Sequence, residues 1–222
     1  MKKALALVLI ALMAVFLTAC GDDATDANPA PEETPVPEAQ ATPTPSPTPI
    51  PTATPFPRIP VDEYVLQWKN DPSRGINFMI PTHWKPGESG DRFLTYYEPV
   101  PENETGFRVS FVNKKKSTEP DSSTMRAELR KLLADMATIY TDFETDGDIT
   151  RDYMLVRFKG YANKYTFTDE YGVKMRGFVI IATYNRRIYC MNFSGPDARF
   201  EEMTPIRDKI MDSMSRVSSS NG

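Results

Sequence analysis

The chain has 222 residues, is 40% hydrophobic and 25% charged, and carries a formal charge of −4 with 20 prolines, two cysteines and one histidine. That length admits one domain with an apolar core and no disulfide staples. The single histidine excludes His-Glu-x-x-His and multi-histidine metal sites, and the mild negative charge gives no electrostatic footprint for nucleic acid.

The N-terminus has a basic start, Lys2 and Lys3, followed by an apolar run from Ala4 to Phe16. That is the layout of a secretory signal, and it is shorter than the roughly 20 residues a membrane span needs. The run closes on Leu17-Thr18-Ala19-Cys20, which resembles the lipobox of bacterial lipoproteins. The resemblance implies removal of residues 1–19 as a signal peptide. It also implies a diacylglycerol and a palmitate-type acyl chain on Cys20, and a lipid-anchored protein on the extracytoplasmic side of the cell membrane.

Residues 20–60 read as a disordered linker. Twelve of the 20 prolines lie in this stretch, and Thr42-Pro43-Thr44-Pro45-Ser46-Pro47-Thr48-Pro49 alternates proline with hydroxyl residues. Proline fixes φ and removes the N–H donor, so helices and sheet ladders are both blocked. The expected state is an extended spacer rising about 3.1 Å per residue. Residues 1–60 hold three basic and six acidic side chains, −3, which leaves −1 for the remainder of the chain.

Residues 61–217 read as one domain, with 218–222 as a disordered tail. Strands are predicted at Tyr64–Trp68 and Ile76–Ile80 around the turn chemistry of Asp71-Pro72-Ser73-Arg74-Gly75. Two more follow at Phe93–Tyr97 and Phe107–Val112. Lys114-Lys115-Lys116 is expected to leave the sheet as a solvated edge. Met125, Leu129, Leu132, Leu133, Met136 and Tyr140 recur at helical spacing, with N-cap oxygens at Asp121, Ser122 and Ser123.

The strand period returns at Tyr153–Phe158, Tyr161–Thr168, Val173–Tyr184 and Ile188–Phe193. The last two flank the tight turn Asn185-Arg186-Arg187. Phe200, Met203, Ile206, Ile210, Met214 and Val217 form a second helical stripe, whose main helix is expected to start at Thr204-Pro205. Antiparallel hairpins with two amphipathic helices define an α+β domain with the helices covering the sheet.

Gly75-Ile76-Asn77-Phe78-Met79-Ile80-Pro81-Thr82-His83-Trp84 resembles the opening strand and turn of PsbP-like domains, a group that includes bacterial lipoproteins of the DcrB type. Tyr189-Cys190-Met191-Asn192-Phe193-Ser194, with Phe200 and Ile210-Met211-Asp212-Ser213-Met214, resembles that family's last strand and helix. The resemblance implies an antiparallel sheet in an α-β-α sandwich, and a non-enzymatic binding or assembly role in the cell envelope. Its partners would be the membrane, through the anchor, and an envelope protein or small ligand.

Trp84 is expected to cover the sheet end as a structural anchor. Cys190 is expected to be a buried thiol without catalytic use. No Gly-x-Ser-x-Gly elbow or phosphate loop occurs, and no catalytic residue or cofactor is assigned. Asp142, Glu144, Asp146 and Asp148 alternate before and after Gly147 as in the first part of an EF-hand calcium loop. Tyr153 stands where the bidentate glutamate belongs. The segment therefore reads as an acidic solvated turn, with a calcium-responsive binding domain as the alternative and an envelope enzyme as a more distant one.

Overall fold

A computed structural model describes residues 59–102 and 104–216. The signal segment, Cys20, nearly all of the linker, Val217 and the tail lie outside the described residues. A 3-10 turn at Val61–Glu63 leads into β1 (Leu66–Asp71), β2 (Ile76–Pro81), β3 (Lys85–Gly90), β4 (Phe93–Tyr97) and β5 (Arg108–Lys115). Helix α1 (Ser122–Ala137) follows, then β6 (Thr141–Thr150), β7 (Met154–Leu155), β8 (Phe158–Lys159), β9 (Tyr161–Thr168), β10 (Lys174–Tyr184) and β11 (Arg187–Pro196). Helix α2 (Asp197–Ser213) and the two-residue β12 (Ser215–Arg216) complete the order.

Seven strands form one antiparallel sheet in the order β3-β4-β5-β11-β10-β9-β6. A strand side chain alternates faces, and the two central strands use both. Phe178, Ile180, Ala182, Tyr189, Met191 and Phe193 enter one core, shared with α2 and with Phe78 and Ile80 of β2. Met175, Val179, Ile181, Ile188 and Cys190 enter the other, under Met125, Leu129, Leu133 and Met136 of α1. The helices therefore sit on opposite faces, giving the α+β sandwich. A smaller sheet, β1-β2-β12, is added on the α2 side.

Helix α1 begins where expected. The Asp121 carboxylate accepts from Thr124 N at 2.7 Å, satisfying one orphan N–H of the first turn. Helix α2 begins earlier than Thr204-Pro205. It starts at Asp197 and carries Pro205 in its interior. An interior proline costs about 3 kcal/mol. The additional turns bury Phe200 and Met203 at 1% and 0% exposure, each worth about 1.5–3 kcal/mol, which offsets that cost. Thr204 Oγ1 donates to Phe200 O at 3.2 Å beside the break.

Four other local expectations are corrected. The first strand is shifted to Leu66–Asp71, because Tyr64 closes the 3-10 turn through its N–H to Val61 O. Lys114 and Lys115 remain in β5, paired with Ile188 and Arg187, and β5 is internal to the sheet. Their run is not an edge, and Lys116 contacts Glu128 of α1. Tyr153–Phe158 is not one strand but the β7–β8 hairpin, turning on Val156 and Arg157 at φ of 53° and 68°. A positive φ is a true outlier for a β-branched residue; here the Leu155 and Val156 side chains are held in the α2 core. The acidic segment 142–148 is not a turn but most of β6.

Both outer strands of the large sheet are irregular. β3 contains Pro86 and slips register between Pro86 and Ser89. β6 slips twice against β9, near Asp142 (φ 51°) and Gly147 (φ 69°).

Trp84 lies between β2 and β3 at 4% exposure, its ring centroid 6.2 Å from that of Phe193. Its indole N–H has no hydrogen-bond partner, so the ring acts by filling space. Trp84→Ala should cost about 3–5 kcal/mol in urea unfolding. Trp84→Phe, which forfeits no hydrogen bond, should cost far less. Equal losses in the two variants would contradict this account.

Candidate functional site

Helix α1 lies against β6, β9 and β10. The same face of the sheet over β4, β5 and β11 is left as a groove of about 810 Å³, within the 300–1,000 Å³ typical of ligand sites. Register sets its floor. Arg108, Ser110, Val112 and Lys114 alternate along β5 and meet Ser194, Asn192, Cys190 and Ile188 of β11. Phe93, Thr95 and Tyr97 of β4 lie across from Val112, Ser110 and Arg108. From Arg108 to Lys114 the floor runs about 20 Å at 3.3 Å per residue.

The wall toward α1 is aromatic. Tyr140 stands 4.2 Å from Phe167, and Phe143 stands 5.3 Å from Tyr165, centroid to centroid. The Tyr165 ring crosses β10 at Gly177, where an added Cβ would fall 2.0 Å from the ring. No other residue type fits there without moving the tyrosine. The crossing brings the Tyr165 hydroxyl to Asn192 Oδ1 at 2.6 Å. Burial holds that phenol protonated, well above the ordinary tyrosine range. Tyr140 is also raised by burial, against the opposing charge of Arg108.

One end of the groove is closed by Glu128, with Lys114 Nζ at 4.0 Å and Lys116 also paired to it. Near the other end stands Glu98, 6% exposed, at the exit of β4. It accepts from Tyr64 OH at 3.0 Å, from Phe107 N at 3.1 Å, and from Arg199 Nη1 and Nη2 at 3.2 and 3.3 Å. Burial together with Glu98 pushes the Tyr64 phenol up to about 12. Burial lowers His83, whose ring meets that of Tyr64 edge-on at 4.5 Å, while Glu98 pulls it back up. The cluster ties the 3-10 turn, the end of β4 and α2 together. It leaves no free base beside a nucleophile.

Cys190 lies on β11 between β5 and β10, 7% exposed and unpaired, and burial pushes its thiol up to about 12. Trp84 is on the opposite side of the sheet, in the α2 core. Asp142, Glu144, Asp146 and Asp148 are all exposed on β6. A strand spreads alternate carboxylates along its length, whereas a calcium loop wraps them around one point. Among the described residues no group of three or more His, Cys, Asp or Glu is placed to hold a metal ion. Cys20 lies outside the described residues.

The residues that make the groove polar, Arg108, Ser110, Asn192 and Ser194, were not singled out in the sequence. The available signal was a polar residue at alternate positions inside two otherwise apolar strands. A second, shallower hollow of about 400 Å³ lies between the outer face of β1 and β2 and the end of α2, with Trp68 58% exposed at its rim.

No protein-family model matches the chain, and no curated protein matches it. Solved structures do. Cyanobacterial PsbP (CyanoP) from Synechocystis is similar with a TM-score of 0.51 at 13% identity, over 68% of this chain and 92% of that one. This defines a PsbP-like fold, with two helices on an antiparallel sheet. The Ran-binding protein Mog1p of Saccharomyces cerevisiae aligns over 71% of this chain and 98% of its own at 9% identity, with a TM-score of 0.49. LpqN of Mycobacterium tuberculosis, described as involved in cell envelope biogenesis, aligns over 70% and 93% at 12% identity, with a TM-score of 0.43. Among the described residues no helix is long and apolar enough to cross a membrane.

With its thiol raised to about 12, Cys190 should be roughly one part in 10⁴ thiolate at pH 8. Maleimide labelling followed by peptide mapping should show Cys190 reacting slowly in the native protein and rapidly in urea. Native labelling at the denatured rate would contradict the burial.

Proposed function

We propose that this protein is a membrane-tethered, extracytoplasmic binding module with no catalytic chemistry of its own, and that the groove beside α1 is its binding surface. The groove carries the reading: it is concave, its floor is apolar at Val112, Cys190 and Ile188, and a few polar groups stand at its ends, which is the chemistry of recognition. The PsbP-like fold supports it only as a scaffold, because one fold hosts many functions. The tether is supported by Leu17-Thr18-Ala19-Cys20 and the proline-rich stretch behind it. On this reading Cys20 carries the lipid, and the linker holds the domain away from the membrane toward an envelope protein or a small ligand.

Two measurements in a bacterial host test it. Cys20→Ser should move the protein from the membrane fraction to the soluble fraction, since stable anchoring needs more than one acyl chain. A mature N-terminus other than Cys20, read by mass spectrometry, would remove the tether. A photocrosslinking side chain at Leu132 in the groove should give adducts that the same group at Trp68 does not. Adducts from Trp68 alone would relocate the binding surface to the small sheet.

A further inference from the structure

We infer that the groove takes a small amphipathic monocarboxylate, its carboxylate on Arg108 and its apolar body laid toward α1; the inference rests on the groove being the binding surface. Arg108 is half-buried on the groove floor, set by register between Tyr97 of β4 and Ser194 of β11. Its guanidinium has no ion-pair partner among the described residues; Arg92, which also lines the groove without one, is exposed, whereas Arg108 is half-buried. Lys114 and Lys116 are held by Glu128, Arg199 by Glu98, and Arg176 by Asp197 and Glu201. A half-buried guanidinium without an acid is a standing desolvation cost that an incoming carboxylate relieves.

The acids around the groove are already engaged or lie at its mouth. Glu98 is saturated by Tyr64, Phe107 N and Arg199. Asp169 accepts from Tyr171 N and Val173 N at 2.9 and 2.8 Å, and from the Thr105 hydroxyl. Neither carboxylate is free to serve Arg108. Glu104, Asp169 and Glu170 still line the same opening, and their charge disfavours a ligand with two or more negative charges.

Hydrogen-bond donors gather beside Arg108. Tyr165 gives its proton to Asn192 Oδ1, so the Asn192 amide keeps its N–H groups for a ligand; the Ser194 hydroxyl, next along the strand, is shared with the Tyr165 phenol. A guanidinium and an amide side by side suit a planar carboxylate. Beyond them the floor becomes apolar at Val112, Cys190 and Ile188, walled by Leu132. The ligand thus has one anionic end and one aliphatic or aromatic end. Lys114 lies at the far end of the floor, where it shares Glu128 with Lys116 and faces the apolar side chains, away from the Asn192 and Ser194 donors beside Arg108.

The test titrates the full chain by calorimetry with decanoate and with decanol, both below micelle-forming concentrations. Decanoate should bind about tenfold or more tighter than decanol. Arg108→Gln should close that gap while leaving decanol unchanged, and Arg108→Lys should restore part of it. Leu132→Lys should weaken decanol. Absence of decanoate binding, equal binding of the two compounds, or an unchanged gap in Arg108→Gln would each overturn the assignment. If the ligands fail while crosslinks from Leu132 persist, the groove binds something other than an amphipathic carboxylate and the binding-module reading stands. If both fail, both readings fall.

Discussion

The structure depends on a hairpin that is buried on both faces. β10 and β11 pair from Met175↔Pro196 to Tyr184↔Arg187, and most of the side chains between those limits, including every residue from Phe178 to Ala182 and from Ile188 to Met191, belong to one of two cores. A slip of one residue would exchange the two cores and set Phe178 and Phe193 against α1 in place of α2. Register is therefore fixed by burial on both sides, and the turn at Asn185-Arg186, with φ of 50° and 56°, supplies the twist that suits it. Everything else is placed relative to this pair. β5 attaches to its outer side, β9 to the other, and α1 settles over the β9 half. The groove is the part of that face the single helix does not reach.

A second constraint comes from the buried carboxylate of Glu98. An ionised group at that depth must have partners, and removing one typically costs about 3–5 kcal/mol. Its four donors come from the 3-10 turn, the strand approach at Phe107 and helix α2. Arg199 also stacks over Phe107, 5.3 Å from guanidinium carbon to ring centroid. The cluster thus fixes how the α2 layer meets the end of β4. That is the border along which the polar end of the groove opens. The similarity to CyanoP at 13% identity is a similarity of fold, which burial constraints of this kind can hold while most residues differ.

Much of the architecture was legible from periodicity. β9 is found at its predicted limits, β2, β10 and β11 near theirs, and the stripe of Met125, Leu129, Leu133 and Met136 is the buried face of α1. The misreadings have physical causes. β3 reads Lys-Pro-Gly-Glu-Ser-Gly, without a strand-forming residue, and exists because β4 offers it a partner. The acidic segment Asp142–Asp148 has local turn chemistry, yet Phe143 and Ile149 pack into the α1 core and draw it out as a strand. Proline signals a helix start at Pro205, but two buried side chains upstream outweigh it. The groove as an assembled surface was not legible, although its polar residues alternate within two strands. It joins residues from β4, β5 and β11, which are brought together by the sheet and share no spacing along the chain. Arg108 is one charged residue within the predicted strand Phe107–Val112, and nothing in the sequence marks it apart.

The irregular outer strands bear on how copies of the chain meet. A sheet edge offers unpaired N–H and C=O groups that recruit other chains when it is long, flat and apolar. Here Pro86 removes a donor from one edge, and the register slips bend both. On the opposite edge Asp142, Glu144, Asp146 and Asp148 face solvent, so two such edges meeting would bring like charges together. At high concentration copies would sample one another's edges, and like charge there opposes their pairing. The carboxylate row, which reads as an acidic solvated turn in the sequence, is in the folded chain a charged strand edge of the kind that disfavours edge-to-edge pairing.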